Sequence, residues 1–164
     1  MIPYLVDTNF FIQAHRAIYP LDVVPSFWSK IKELAHSGKI VSIDKVKDEI
    51  YSNEDDLKNW CEENLPNNFF LDSSVALTEY RQIASWANSM SHHCRSSALS
   101  EFLGSTEADP WLVAFSLKKS IPLITYEKSS PGARRSVKIP DVCIQFGVTY
   151  HSPIEMFRLI GESF

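Results

Sequence analysis

Glycine, cysteine and long apolar runs are scarce in this chain of 164 residues, and each shortage excludes a class of protein. With only 5 glycines, no Ser/Gly/Pro-rich linker and no internal repeat, the sequence predicts a single domain over residues 1–164. The 3 cysteines form no CxxC pair, which argues against a disulfide framework and favours a reducing cytoplasm. No apolar run approaches the ~18–20 residues of a membrane span, and no basic stretch precedes the apolar N-terminus, so neither a membrane partner nor a signal peptide is expected.

Several catalytic motifs are also missing. The 5 histidines show no HxxxH or HExxH spacing, which argues against a zinc enzyme. GxSxG, GxGxxG and the P-loop are absent, which argues against a serine hydrolase, a dinucleotide-binding enzyme and a P-loop nucleotidase. The net charge of −4 argues against a protein that coats nucleic acid electrostatically. It leaves open an enzyme that meets nucleic acid through bound metal ions, because these change the local charge.

Short apolar stretches alternate with amphipathic stretches along the chain. The predicted strands cover residues 2–6, 40–43, 69–71, 122–126 and 148–150. Helical patterns lie between and after them, including residues 27–35 and 153–160, with a single helical turn at 98–103. Strands that alternate with helices predict an α/β fold, a three-layer α/β/α sandwich on a mainly parallel central sheet.

Two carboxylates follow predicted strands. Asp7 comes directly after the first strand and Glu127 directly after the fourth. If the strands are parallel, both lie at the carboxyl edge of the sheet, where open α/β folds bind their ligands. Taken alone, Asp7-Thr8-Asn9 is also compatible with an ordinary turn.

Two further carboxylates lie on predicted helices. Glu49 borders the apolar face that Val46 and Ile50 define, although a solvated helix glutamate is the plainer interpretation. Asp109 precedes Pro110 at a helix start, where it could serve only as a cap. Carboxylates gathered at one edge would repel one another and raise each other's pKa unless a cation neutralised them. Hard divalent cations prefer such oxygen ligands and can activate water for phosphodiester hydrolysis.

Four short motifs occur in a characteristic order. They are Leu5-Val6-Asp7-Thr8-Asn9, Val46-Lys47-Asp48-Glu49-Ile50, Ala108-Asp109-Pro110-Trp111-Leu112-Val113-Ala114 and Leu123-Ile124-Thr125-Tyr126-Glu127. Together they resemble the PIN-domain family of metal-dependent nucleases, which includes the VapC-type toxins of bacterial toxin–antitoxin modules. Within it the chain is similar to a bacterial branch with a Phe-Trp pair after the first loop, here Phe27-Trp28, and with Ile139-Pro140-Asp141-Val142-Cys143 near the end.

The resemblance implies roles for particular residues. The implied catalytic and metal-binding residues are Asp7, Glu49, Asp109 and Glu127, with Mg²⁺ or Mn²⁺ as the cofactor. Glu127 stands where the family usually has aspartate, so its longer side chain would reach the metal directly or through water. The implied supporting polar residues are Thr8, Asn9 and Thr125. Asp141 either joins the site or caps the next helix.

The implied function is an endoribonuclease that hydrolyses RNA phosphodiester bonds, acts as the toxin of a toxin–antitoxin module, is blocked by an antitoxin protein and pairs as a homodimer. The basic residues that could contact substrate phosphate, or could simply be solvated, are Arg16, Lys128, Arg134, Arg135 and Lys138. One alternative is a PIN-fold binding or regulatory protein without catalysis. Another is a phosphatase with Asp7 as nucleophile, but such enzymes usually place a second aspartate where this chain has Asn9.

Overall fold

Five parallel strands form the central sheet of the structure, a computed structural model that describes residues 1–164. The strands are β1 (Tyr4–Val6), β2 (Ile40–Ile43), β3 (Phe70–Leu71), β4 (Leu123–Ile124) and β5 (Tyr150–His151). Their order is β3-β2-β1-β4-β5, and all four neighbouring pairs run parallel. The predicted α/β class with a parallel sheet is therefore confirmed. The fourth strand is shorter than the predicted 122–126, and the last begins two residues later than predicted.

Nine α-helices connect and follow the strands. They are α1 (Thr8–Gln13), α2 (Pro25–His36), α3 (Asp44–Tyr51), α4 (Asp56–Asn64), α5 (Leu77–Ser89), α6 (Ser96–Phe102), α7 (Asp109–Lys119), α8 (Ile139–Phe146) and α9 (Pro153–Ile160). A π-helix (Ala14–Ile18) continues α1, and a 3₁₀ helix (Ser73–Ala76) precedes α5. Helix α6 spans 7 residues where the sequence predicts a single turn. None of the helices combines the length and the apolar character needed to cross a bilayer.

Both faces of the sheet are covered. Leu5 and Val6 are adjacent in β1, and Leu123 and Ile124 are adjacent in β4, yet all four side chains are fully buried. Because successive residues of a strand point to opposite faces, this burial requires helices on each side. The strands are therefore the middle layer of three, as the sequence predicts.

Aromatic packing anchors α1 at the end of β1. Phe10 and Phe11 are fully buried, with their ring centroids 5.3 Å apart. The ring centroid of Phe10 lies 6.2 Å from that of Phe27 in α2. The ring centroid of Phe11 lies 6.0 Å from that of Phe69, just before β3. Each such side chain contributes about 1.5–3 kcal/mol through burial. Since Phe10 follows Asp7 by three residues, this packing also holds Asp7 in place.

The strand order places a crevice between β1 and β4. From β1 the chain moves outward to β2 and β3 on one side, whereas β4 and β5 extend the other side. The carboxyl ends of β1 and β4 therefore flank the point at which the order reverses, which is where open α/β sheets bind ligands. The backbone N–H of Asp7 donates to the carbonyl of Ile124 at 3.2 Å and closes this junction.

Candidate active site

Asp7 lies at the end of β1 and is only 1% exposed. Its Oδ1 accepts a hydrogen bond from the backbone N–H of Phe10 at 2.7 Å, so the side chain caps α1. Its Oδ2 is buried and has no hydrogen-bond partner. A buried carboxylate oxygen without a partner is costly, because it has lost its hydration without gaining a replacement. Capping therefore accounts for one oxygen of Asp7 and leaves the other unexplained.

Glu49, on α3, forms hydrogen bonds with the residues next to Asp7 and Asp109. Its Oε1 accepts from the backbone N–H of Ala108 at 2.8 Å, and its Oε2 accepts from the hydroxyl of Thr8. Thr8 is adjacent to Asp7, and Ala108 is adjacent to Asp109. These two hydrogen bonds hold the starts of α1 and α7 against one carboxylate, although the residues are far apart in sequence.

Asp109 is the first residue of α7, and the cap position belongs to Ala108. The helix has no side-chain cap, and Asp109 lies one residue inside it, so the interpretation of Asp109 as a helix cap is wrong. The helix begins one residue earlier than Pro110 suggests, and the amide of Ala108 is bound by Glu49 instead. A carboxylate in a first helical turn is still favoured by the helix dipole. Both oxygens of Asp109 remain available for another partner.

Glu127 lies three residues after β4, and its side chain caps α8, which begins further along the chain. Its Oε2 accepts from the backbone N–H of Ile139, the first residue of α8, at 2.8 Å. Its own backbone N–H donates to the Thr125 hydroxyl at 3.1 Å, and Thr125 is 1% exposed. Glu127 therefore connects the end of β4 to the start of α8.

The four carboxylates act on one another electrostatically. The pKa of Asp7 is raised from 3.8 to about 7, first by burial and further by the charges of Glu127 and Glu49, while the nearby Thr125 hydroxyl and the Phe10 backbone amide oppose the rise. The Thr125 hydroxyl does not reach hydrogen-bond geometry with Oδ2. The pKa of Asp109 is raised well above its ordinary value, first by burial and then by Glu127, Asp7 and Glu49. Mutual effects of this kind require proximity. The structure brings all four predicted carboxylates into one acidic cluster.

The protein supplies no cation to this acidic cluster. The five ion pairs of the structure involve other carboxylates, at Glu33, Glu54, Glu79 and Glu162. No three Asp, Glu, His or Cys side chains are arranged to hold one metal ion in this conformation. The predicted metal site therefore stays a prediction, as do the predicted roles of the individual residues. Within the cluster, the buried oxygen without a partner is Asp7 Oδ2.

The other predicted site residues lie around or apart from the acidic cluster. Thr8 is buried, and Asn9 lines the cavity beside Glu49. Asp141 accepts hydrogen bonds from the Ser129 hydroxyl at 2.6 Å and the Ser130 backbone N–H at 3.0 Å, so it neither caps α8 nor touches the cluster. Arg134 donates through Nε to the carbonyl of His93 at 2.9 Å. Of the basic residues predicted to contact phosphate, four are exposed and Lys138 is half-buried. The exposed four are Arg16, Lys128, Arg134 and Arg135.

A cavity of about 560 Å³ opens beside Glu49 and Asp109, and its wall contains a carboxylate that the sequence analysis did not select. This residue is Glu107, whose pKa is raised by burial and then by the charges of Glu49 and Glu101. Its position two residues before Asp109 was a usable signal. Spacing alone could not show that the turn before α7 directs it toward Glu49.

The family model described as a domain of unknown function, DUF4411, matches residues 4–164. The chain belongs to the DUF4411 family. Among solved structures, this DUF4411 chain is similar to a chain in the crystal structure of VapBC2 from Rickettsia felis bound to a DNA fragment from their promoter. The match has 10% sequence identity and a TM-score of 0.48, and covers 92% of this chain and 98% of that chain. No curated protein matches the chain in sequence.

The donor chemistry of the acidic cluster suits a divalent cation, although no three of its side chains surround a single ion position. A buried oxygen without a partner at Asp7 and a carboxylate without hydrogen bonds at Asp109 lie within one group of like charges. Magnesium commonly uses one or two carboxylates and keeps several waters. The residues present therefore fit a cation held mainly by these two aspartates, with Glu49 and Glu127 positioned by backbone amides around them.

Proposed function

We propose that this DUF4411 protein is a Mg²⁺- or Mn²⁺-dependent endoribonuclease, and that it is the toxin of a toxin–antitoxin module. The supporting observation is the acidic cluster at the carboxyl edge of β1 and β4, which has no Lys, Arg or His counter-ion. A protein that gathers like charges without pairing them has a strong electrostatic reason to bind a cation there. RNA as the substrate, the antitoxin partner and the homodimer are carried by the resemblance of the four sequence motifs to PIN-domain nucleases.

In this proposal Asp7 Oδ2 and the Asp109 carboxylate hold the metal ion. The bound ion would supply an activated water and would neutralise charge on the phosphate. Glu49 keeps the two aspartates together through its hydrogen bonds with Thr8 and Ala108. Glu107 lines the cavity, and its raised pKa makes it a suitable proton acceptor beside the bound substrate.

The second candidate is a PIN-fold binding or regulatory protein without catalysis. One observation favours it: Glu49 uses both carboxylate oxygens, and Glu127 uses one, to hold the starts of helices and the Thr8 hydroxyl. These contacts alone would give two of the four carboxylates a structural purpose. They leave the buried Asp7 Oδ2 without a purpose, and for this reason we prefer the nuclease.

Cleavage of RNA by the purified chain tests the proposal. Single-stranded RNA is incubated with Mg²⁺, with Mn²⁺ or with EDTA, using wild type, Asp7→Asn, Asp109→Asn and, as a matched control, Asp22→Asn at an exposed position. We expect metal-dependent cuts from wild type and Asp22→Asn, and a loss of several orders of magnitude in the other two. Induction in a bacterium should stop growth under the same pattern of variants. No cleavage with either metal, and identical behaviour of wild type and Asp7→Asn, would favour the non-catalytic protein.

A further inference from the structure

A second cavity, of about 310 Å³, lies between α5, the α5–α6 connection, the loop 128–138 and α8. Its wall is largely apolar, and its larger apolar side chains are Trp86, Met90, Leu99, Val137 and Ile144. Cavities that hold small organic groups are of this size and combine apolar walls with a few polar atoms. Here the indole of Trp86 offers a flat face, and its edge contact with Phe146 at 5.9 Å steadies the ring.

The polar atoms of this cavity include one without a partner. His93 lines the cavity, and its Nε2 is buried without a hydrogen bond. The rim beside it is held closed by the backbone, because Arg134 donates through Nε to the His93 carbonyl at 2.9 Å and the Arg95 amide donates to the Arg134 carbonyl at 2.9 Å. The Nε2 atom is enclosed in this conformation, so a ligand in the cavity meets other atoms of the His93 side chain.

The cavity adjoins the acidic cluster. The loop 128–138 leaves Glu127 and returns to it, since Glu127 Oε2 accepts from the backbone N–H of Ile139. Lys138, the residue before Ile139, lines the cavity. One residue of backbone therefore separates the cavity wall from a carboxylate of the cluster. The cavity wall and the cluster are thus joined through the loop 128–138 and its closing hydrogen bond.

The loop carries four basic residues, of which Lys138 lines the cavity, while the wall's one carboxylate, Asp141, is bound by Ser129 and Ser130. The four basic residues are Lys128, Arg134, Arg135 and Lys138. None of them forms an ion pair with a carboxylate, although the whole chain has a net charge of −4. Unpaired cations beside an apolar slot are complementary to a ligand that joins an aromatic group to an anion. Guanidinium groups in particular bind phosphate oxygens in pairs.

We propose that this cavity binds the base of a nucleotide next to the scissile phosphodiester, with the loop cations on the flanking phosphates. The inference rests on the proposed ribonuclease function and adds a specificity site to it. Single-stranded RNA is recognised through splayed bases that stack on aromatic side chains and bond at their edges. Trp86 is the aromatic side chain available for stacking, and Lys138 on the same wall is the cation available for a flanking phosphate. The base bound there selects where the chain is cut.

The test combines a protein variant whose cavity is filled with an RNA substrate that lacks one base. Ala133 lines the cavity from the loop and is half-buried, so Ala133→Trp fills the slot from its rim. Lys119→Trp, at the exposed end of α7, is the matched control. Each variant cleaves an RNA with one preferred cut and a series of copies in which one nucleotide near the cut is abasic. A stacked base is worth a factor of roughly 5 to 150 in binding.

For wild type and Lys119→Trp we expect one abasic position to lower cleavage at low RNA concentration by that factor. Ala133→Trp should cleave the intact RNA at the reduced rate and lose nothing more with the abasic copy. If Ala133→Trp does not fold, Trp86→Leu replaces it, with the same expected insensitivity. Cleavage by the folded cavity variants that equals wild type and keeps its abasic sensitivity overturns the inference and leaves the ribonuclease standing. If these variants instead lose only the binding of a protein inhibitor, the cavity holds a peptide segment and the inference is also overturned. Failure of wild type to cut any RNA would remove the proposed function and this inference with it.

Discussion

Asp7→Asn is expected to stabilise the fold while it abolishes cleavage. Asp7 is 1% exposed, and its pKa is raised from 3.8 to about 7. The folded protein therefore carries a penalty for the ionised carboxylate that the unfolded chain does not have. The difference between these two pKa values corresponds to about 4 kcal/mol at pH above 7. Asparagine removes the charge and keeps an oxygen that can accept from the Phe10 amide.

The sign of the pH dependence follows from the direction of the shift. Below 3.8 the Asp7 carboxyl is protonated in both states, so the penalty is absent. It grows as the pH rises and is complete once the pH passes about 7. The gain in unfolding free energy from Asp7→Asn should thus be near zero at pH 4 and on the order of 4 kcal/mol at pH 8.

Urea denaturation between pH 4 and pH 8 in EDTA measures this difference, with Asp22→Asn as the exposed control, expected to lie within about 0.5 kcal/mol of wild type. Added Mg²⁺ should stabilise wild type but not Asp7→Asn, because only the former has the ligand. If Asp7→Asn were less stable than wild type at pH 8, the ionised Asp7 carboxylate would not destabilise the folded protein. The electrostatic argument for the metal site would then fail.

Three further outcomes are expected. Glu127→Ala should lower the unfolding free energy by about 1 kcal/mol, because the Ile139 amide loses its capping acceptor. Glu127→Gln should lower it less, and equal losses for the two variants in thermal unfolding would contradict this role of Glu127. Thr8→Val should lower cleavage and Mg²⁺ affinity about tenfold or more, because Glu49 loses a positioning hydrogen bond, and Thr8→Ser should restore both in a metal titration. Phe27→Ala should cost about 3–5 kcal/mol in urea denaturation, since the ring is fully buried among other aromatic side chains; a cost below 1 kcal/mol would show that the core refills the space.

Local patterns predicted the elements of this fold well. Strand β2 and helix α9 have the predicted bounds, because each is marked by its own apolar spacing and by flanking turn residues. Helix α6 begins at Ser96, two residues before the predicted 98–103, and burial of Ala98, Leu99 and Phe102 stabilises a helix in this polar stretch. The interpretation of Asp109 as a cap failed for a related reason. The cap position is Ala108, whose own amide is bound by Glu49 from another helix.

Strand and helix periodicities are local properties of the chain, so they were enough to predict the parallel α/β architecture and the positions of Asp7 and Glu127 near strand ends. The hydrogen bonds of Glu49 with Thr8, 41 residues away, and with Ala108, 59 residues away, became visible only in the folded chain. The same is true of the effect of Glu49 on the pKa of Glu107 and of the buried Asp7 oxygen without a partner. These contacts depend on strand order and on how neighbouring helices pack, and no spacing along the chain encodes either.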